Sequence, residues 1–170
     1  MKKIYLSVVC LLISIPLIAQ LYVEPEKEVE CSVFLAKEGR GRAQQGLEIW
    51  DDYIFSCEDG GHVDIYDFKS ADPKPVAGFE LASSHPDNHV NNVCFGVETK
   101  RGASFPLLYI TNGKVGSELE WLCFVESITR RGKRFSSEIA QTIELDGSKW
   151  AEKGYVPIFG APSWLVDRER

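Results

Sequence analysis

The sequence lacks the short motifs that mark many enzymes and metal proteins. No two cysteines stand in Cys-x-x-Cys spacing, and no cysteine–histidine pair has zinc-finger spacing, which argues against a structural metal site. There is no Gly-x-Ser-x-Gly motif, no glycine-rich phosphate loop before a helix, and no serine with an evident histidine and aspartate partner. We therefore predict no catalytic residue, no metal and no cofactor.

Cationic charge and helical periodicity are also scarce. Lysine and arginine together number 19 against 25 aspartates and glutamates, and the net charge is −6. An acidic protein repels phosphate backbones, which argues against nucleic acid as a partner. No segment carries a long apolar period of ~3.6 residues, so an almost entirely β protein is predicted.

Residues 1–19 have the pattern of a secretory signal peptide. Lys2 and Lys3 form a basic start, residues 4–18 are an apolar run, and the small residue Ala19 precedes the expected cleavage. The run is shorter than the ~20 residues of a membrane span, and no later stretch could cross a bilayer, so no stable span is expected after cleavage. We predict export to the periplasm or the outside, with an uncleaved anchor as the alternative. Residues 20–30 are then a lead-in and 31–170 one domain.

Four cysteines follow the predicted signal: Cys31, Cys57, Cys94 and Cys123. An oxidising compartment would permit disulfides among them. Three of the four stand among apolar neighbours in strand candidates, where a free cysteine behaves as a small hydrophobe. Buried thiols are therefore favoured over a disulfide network.

Short apolar segments recur at a nearly constant spacing. Three of them are 53–57, 107–111 and 163–167. Ile54, Tyr109 and Leu165 in these segments lie 55 and then 56 residues apart. A second motif recurs at 33–35, 79–81 and 143–145. A fixed period of strand clusters is typical of radial β architectures.

Alternation and turn residues predict two groups of four strands. The first group is 46–50, 53–57, 62–68 and 76–81, and the second is 89–97, 106–111, 120–128 and 137–145. Further strand candidates are 31–35, 155–159 and 164–166. Acidic pairs at 51–52 and 58–59 and the basic segment 129–133 are predicted to be turns, and Gly60 and Gly61 supply the positive φ of a tight hairpin.

Two of these segments resemble the blades of secreted bacterial β-propellers. Residues 108–113 (Leu-Tyr-Ile-Thr-Asn-Gly) are similar to the core of YVTN-type repeats, and residues 61–67 to the third strand of WD-like and quinoprotein-like blades. The resemblance covers roughly 31–170 and implies antiparallel four-stranded propeller-like blades, about two complete plus partial flanking ones. The period is longer than the ~40–45 residues of a WD-type blade.

A propeller ring uses ~4–8 blades, more than this chain supplies. The chain could be a fragment or a prematurely stopped relative of a longer propeller, or it could complete a ring with a second copy. It could also be a self-contained β-sandwich or barrel. Open blade edges predict self-association.

The richest polar segment is the predicted connection between the two strand groups. His85, Asp87, His89 and Asn91 offer imidazole and oxygen groups within seven residues, which could bind a sugar or a divalent metal, or could simply form a surface loop. In a propeller such connections border the face where ligands usually bind.

Two residues near the first predicted strand complete the candidate ligand-binding set. Arg42 could bind a carboxylate as a bidentate donor, although a solvated loop is the favoured interpretation. Glu48 stands between Leu47 and Ile49, so a central strand would turn its carboxylate toward a channel or a partner.

The predicted function is an exported ligand- or protein-binding propeller-like module without evident catalytic machinery. Its partner would be a small molecule, a glycan or a protein. The alternatives are a propeller-type glycan-active hydrolase or lyase, which rests on fold analogy alone, and a truncated non-functional remnant of a longer propeller.

Overall fold

Eight antiparallel strands account for the regular structure of the described chain. The structure, a computed structural model, describes residues 42–114, 116–145, 151–154 and 163–167. The strands are β1 (Gln44–Trp50), β2 (Tyr53–Glu58), β3 (His62–Asp67), β4 (Ala77–Glu80), β5 (Asn92–Phe95), β6 (Leu108–Thr111), β7 (Leu122–Arg131) and β8 (Arg134–Glu144). The prediction of an all-β protein is confirmed for these residues.

The strands form two four-stranded sheets, each a meander in chain order. The first sheet has the order β1-β2-β3-β4 and the second the order β5-β6-β7-β8. Tight turns explain this simple connectivity, because Asp51 (φ 54°), Gly60 (φ 88°), Gly61 (φ 96°) and Gly132 (φ 65°) take the left-handed backbone that short hairpin turns need. The predicted grouping of four and four strands is confirmed.

Several predicted boundaries are wrong. Residues 89–91 precede β5 as a loop, because Val90 has a positive φ of 40° that no strand accommodates. The predicted turn 129–133 is mostly strand, with only Gly132 and Lys133 in the turn. Glu58 belongs to β2 rather than to a turn. Residues 164–166 form no strand.

Other predictions fall where the structure describes nothing. The signal peptide, Cys31 and the strand candidates 31–35 and 155–159 lie outside the described residues.

The core lies between the two sheets and is rich in phenylalanine. Alternate residues of β2 and β3 face it, with Phe55, Cys57, Val63 and Ile65 fully buried there. The second sheet contributes a matching set: Val93, Phe95, Leu108, Ile110, Phe124, Ile128 and Phe135. Trp50 packs edge-on against Phe95, with ring centroids 5.7 Å apart.

The two sheets repeat each other strand by strand. Ile54 lies in β2 and Tyr109 in β6, the second strand of each sheet. Across the interface, β1 lies beside β5 and β4 beside β8, so first strand meets first and fourth meets fourth. The predicted internal repeat therefore has a structural counterpart in these two sheets, and the arrangement is compatible with propeller-like blades.

The described cysteines are thiols. Cys57, Cys94 and Cys123 are all free and buried, as predicted. Among the described residues no helix is long and apolar enough to cross a membrane.

Candidate functional site

Polar side chains from four chain segments meet at one end of the two sheets. This end holds the start of β1, the turn after β2, the loop before β5 and the residues after β6. We call the set Gln45, Asp59, His89 and Asn112 the rim cluster. Antiparallel pairing brings these segments together, because the start of one strand lies beside the end of the next.

His89 is the centre of the rim cluster. Its Nε2 lies 3.0 Å from Gln45 Nε2 and 3.9 Å from Asp59 Oδ1. Its Nδ1 is buried and has no partner among the described residues. The side chains of His89 and Asp59 are 33% and 38% exposed, so both are partly open to solvent.

Asn112 holds the loop that carries His89. The fully buried Asn112 accepts hydrogen bonds through Oδ1 from the backbone N–H groups of His89 (2.9 Å) and Lys114 (3.3 Å). Its Nδ2 is buried and has no partner among the described residues. The second sheet thereby positions a histidine that reaches the first sheet.

Asp87 is held in a separate ion pair. Lys114 Nζ contacts its Oδ1, and Lys114 Nζ also lies 3.5 Å from the Pro86 carbonyl. The hydrogen bond from Lys114 holds the pKa of the Asp87 carboxyl below its usual value. Asp87 is thus an ionised partner of a lysine and not a member of the rim cluster.

The remaining predicted residues occupy different surroundings. His85 is exposed, and its Nδ1 accepts from the Asp87 backbone N–H at 3.1 Å. Asn91 donates its backbone N–H to Thr111 at 3.1 Å. Glu48 lies mid-strand in β1 opposite Phe55, where its Oε1 accepts from the Ile49 N–H at 3.2 Å.

Arg42 lies over the turn that carries Asp59. Its Nη1 donates to the Asp59 carbonyl at 3.5 Å, and a Cβ at Gly60 would stand 2.6 Å from the same Nη1. The absence of a side chain at Gly60 therefore gives the guanidinium its place beside the rim cluster.

The loop that presents His89 is strained. Val90 is fully buried with φ 40°, a conformation that costs a β-branched residue roughly 1–3 kcal/mol and tends to persist at functional sites. The Asn88 side chain stabilises this conformation, since its Oδ1 accepts from Val90 N at 3.2 Å while its Nδ2 donates to the Ser83 carbonyl at 2.9 Å.

Sequence reasoning missed part of this site. Asn112 and Lys114 follow a predicted strand, and no sequence pattern assigns either of them to a binding site. The dipeptide Asn112-Gly113 is typical of a turn. No pattern among neighbouring residues shows that the Asn112 side chain contacts the backbone of His89, which lies 23 positions earlier in the sequence. Gln45 and Asp59 stand out in the sequence only as members of a polar loop and an acidic turn.

The described residues contain no group of three or more His, Cys, Asp or Glu side chains that could hold a metal ion. Comparison of the chain with protein-family models, with curated proteins and with solved structures finds no match.

Proposed function

We propose that the chain is an exported ligand-binding module built from successive propeller-like blades, and that it binds a hydroxyl-rich small molecule such as a sugar at the rim cluster. The observation that carries this proposal is the convergence of Gln45, Asp59 and His89 from three segments onto one half-exposed position. Together they offer an amide, a carboxylate and an imidazole. A sugar hydroxyl both donates and accepts, so it suits such a mixed set.

Two further features support a binding role for the rim cluster. Val90 keeps its strained backbone beside His89, and strain of this kind is maintained only where the surroundings impose it. Asn112 is fully buried and uses its carbonyl oxygen on the loop that presents His89. The rim is therefore pre-organised rather than a loose surface loop.

The propeller part of the proposal is supported by how the sheets and the chain after them are arranged. Matching strands of the two sheets lie side by side. The free face of the second sheet receives Trp164, whose ring lies 5.5 Å from that of Tyr109 and whose backbone N–H donates to Asn92 Oδ1 at 2.9 Å. In a propeller the next blade packs at this position.

The binding proposal is tested by titrating the ¹⁵N-labelled protein with methyl glucoside, methyl galactoside and methyl mannoside. We expect at least one glycoside to shift the backbone signals of Asp59 and His89 and the side-chain amide of Gln45. His89→Ala should weaken that binding about tenfold, the effect of one lost hydrogen bond and a displaced Gln45.

His85→Ala is the matched control, because His85 lies in the same loop and outside the rim cluster. It should bind like the parent protein. Equal losses in both variants, or shifts confined to other surfaces, would contradict a site at the rim cluster.

The export part of the proposal is tested separately. When the full chain is expressed in a bacterium, mass spectrometry of the protein recovered outside the cytoplasm should find an N-terminus at Gln20. Recovery of the intact chain in the cytoplasm or the membrane fraction would contradict it.

A further inference from the structure

A groove with a cavity of about 560 Å³ lies along the β7–β8 hairpin, at the end of the second sheet opposite the rim cluster. Six of its lining residues stand at alternate positions of the two strands: Ser127, Thr129, Arg131, Arg134, Ser136 and Glu138. We call this set the hairpin face. It takes no part in the proposed function and is independent of it.

The strand register places these six residues in three directly opposite pairs. Ser127 pairs with Glu138, Thr129 with Ser136, and Arg131 with Arg134. Opposite residues of an antiparallel pair share one face, with Cβ atoms roughly 4.5–5.5 Å apart. The hairpin face is therefore a continuous strip with hydroxyls in its middle and two guanidiniums at the hairpin end.

The two guanidiniums are the unusual feature. Like charges directly opposite each other destabilise a strand pair. Arg131 and Arg134 are both exposed, and the ion pairs formed among the described residues include neither of them. An anion bound between them would relieve the repulsion and could accept bidentate hydrogen bonds.

Two neighbouring charged side chains already have partners within the protein. Glu138, the one acidic residue of the strip, is paired with Lys100 at 2.8 Å. Arg130 donates through Nε to the Gly132 carbonyl at 2.8 Å and lies over the Tyr53 ring at 4.9 Å. Arg131 and Arg134 are thus available to a ligand, as is Lys133 of the turn, but of these three cations only the two arginines lie on the hairpin face.

We propose that the hairpin face binds a segment of acidic polysaccharide whose uronate carboxylate sits between Arg131 and Arg134. The hydroxyls of Thr129 and Ser136 then hydrogen-bond the hydroxyls of the adjoining sugar ring. One pair of guanidiniums followed by hydroxyls matches a chain with one charge per sugar and free hydroxyls between the charges.

Other polyanions fit this strip less well. Duplex DNA carries a charge every ~1.7 Å along its axis, which is more charge than two guanidiniums neutralise. Single-stranded nucleic acid is held by exposed aromatic platforms, and the aromatic residue of the groove, Phe135, is buried. A densely sulfated chain would likewise bring more charge than two guanidiniums neutralise.

The test uses the purified protein and a fluorescently labelled oligogalacturonate of four sugars, with anisotropy measured at near-physiological salt. Neutral maltotetraose, a heparin tetrasaccharide and a 12-nucleotide single-stranded DNA serve as competitors. We expect unlabelled oligogalacturonate to displace the probe best. The double variant Arg131→Gln/Arg134→Gln should lose at least about tenfold in affinity, because charged hydrogen bonds are the stronger kind.

The matched control is Arg101→Gln/Lys133→Gln, which removes the same charge from the same end of the molecule outside the hairpin face. It should change the affinity less than about threefold, the effect of long-range attraction alone. Equal losses in the two double variants would overturn the proposal, as would absence of oligogalacturonate binding. Stronger competition by heparin or DNA would also overturn it, in favour of a general polyanion surface.

Discussion

At the scale of single residues, Glu126 is a carboxylate within an otherwise apolar interface. It is fully buried in β7, and its two oxygens accept backbone hydrogen bonds from Ser83 N at 2.8 Å and Ala82 N at 3.0 Å. Those two N–H groups follow β4, where the chain leaves the first sheet, and Ala82 N also lies 2.8 Å from Ser137 Oγ. Glu126 therefore fastens the connection between the sheets to the second sheet.

We predict that Glu126→Ala lowers the free energy of unfolding by about 2–4 kcal/mol, because it leaves two N–H groups without their charged acceptor. Glu126→Gln should cost roughly half as much, since its amide keeps one acceptor oxygen. Urea denaturation measures both. Glu138→Ala, which removes an exposed ion pair, should cost less than about 1 kcal/mol and serves as the control. If Glu126→Ala costs no more than Glu138→Ala, the carboxylate does not hold this connection.

Cys57 links burial to the pH dependence of stability. Burial in the core, and next the negative charge of Glu126, raise the pKa of the Cys57 thiol far above its ordinary value of 9.0. A raised pKa means that the thiol stabilises the fold below pH 9, and that this contribution is lost as the pH rises above 9.

We predict a steeper alkaline loss of stability in the parent protein than in Cys57→Ala. Above pH 9 the Cys57 thiol retains in the folded chain a proton that it releases in the unfolded chain, which corresponds to about 1.4 kcal/mol per pH unit. Urea denaturation between pH 7 and 10.5 should show the two curves converging above pH 9. Val63→Ala, which removes volume opposite Cys57 without removing a titrating group, should follow the parent slope. Parallel curves for the parent and Cys57→Ala would contradict the prediction.

At the scale of elements, the β2–β3 hairpin is joined to the connection between the two sheets, which carries His89. Gly60 donates its N–H to the Asn88 carbonyl at 2.7 Å, and Gly61 accepts from Leu81 N at 2.8 Å. A Cβ at Gly61 would stand 2.9 Å from the backbone Cα of Ser84, and Gly61 also has a φ of 96°. This glycine is needed for two reasons, the turn itself and the close approach of the loop.

The two reasons can be separated by substitution. Gly61→Ala should destabilise the protein by about 2–4 kcal/mol, the sum of a strained φ and a backbone clash. Gly102→Ala should cost only about 1–2 kcal/mol for the strained φ alone, because Gly102 has a φ of 88° and a Cβ added there would meet nothing within 4 Å. Thermal and urea denaturation of the two variants make the comparison. If the two variants lose the same free energy of unfolding, the loop at Ser84 moves to accommodate the new methyl group at position 61.

At the scale of the whole molecule, a cluster of phenylalanine rings joins the two sheets. Phe55 of the first sheet contacts Phe95 and Phe105 edge-on, with centroids 5.0 and 5.1 Å apart, and lies 6.4 Å from Phe135. Edge-to-face contacts at these separations add to the free energy already gained by burial. The core belongs to both sheets together rather than to either alone.

We therefore predict that the two sheets unfold in a single transition. Far-ultraviolet circular dichroism and tryptophan fluorescence should give coincident urea curves. Phe55→Ala should shift that one transition by about 3–5 kcal/mol, whereas Phe68→Ala, at an exposed position, should change it by about 0.5 kcal/mol or less. Two separate transitions would mean that the sheets do not depend on the shared core.

Local sequence patterns predicted the strands because strand alternation and turn residues act over a few neighbours. The turns were predicted from residues such as Gly60, Gly61 and Asp51. The spacing between Ile54 and Tyr109 predicted that the second group of strands repeats the first. The patterns failed where a tertiary contact overrides local preference. His89 to Asn91 looked like the beginning of a strand, but Asn88 and Asn112 hold that segment as a loop.

The amino-acid sequence by itself determined that the chain forms strands in two groups of four, since periodicity and turn chemistry are properties of neighbouring residues. Only the tertiary structure decided which polar side chains meet. His89 joins Gln45, Asp59 and Asn112 because the two sheets pack with matching strands side by side, and Arg131 faces Arg134 because of the β7–β8 register. Such meetings depend on contacts between residues distant in the chain, and no local pattern records them.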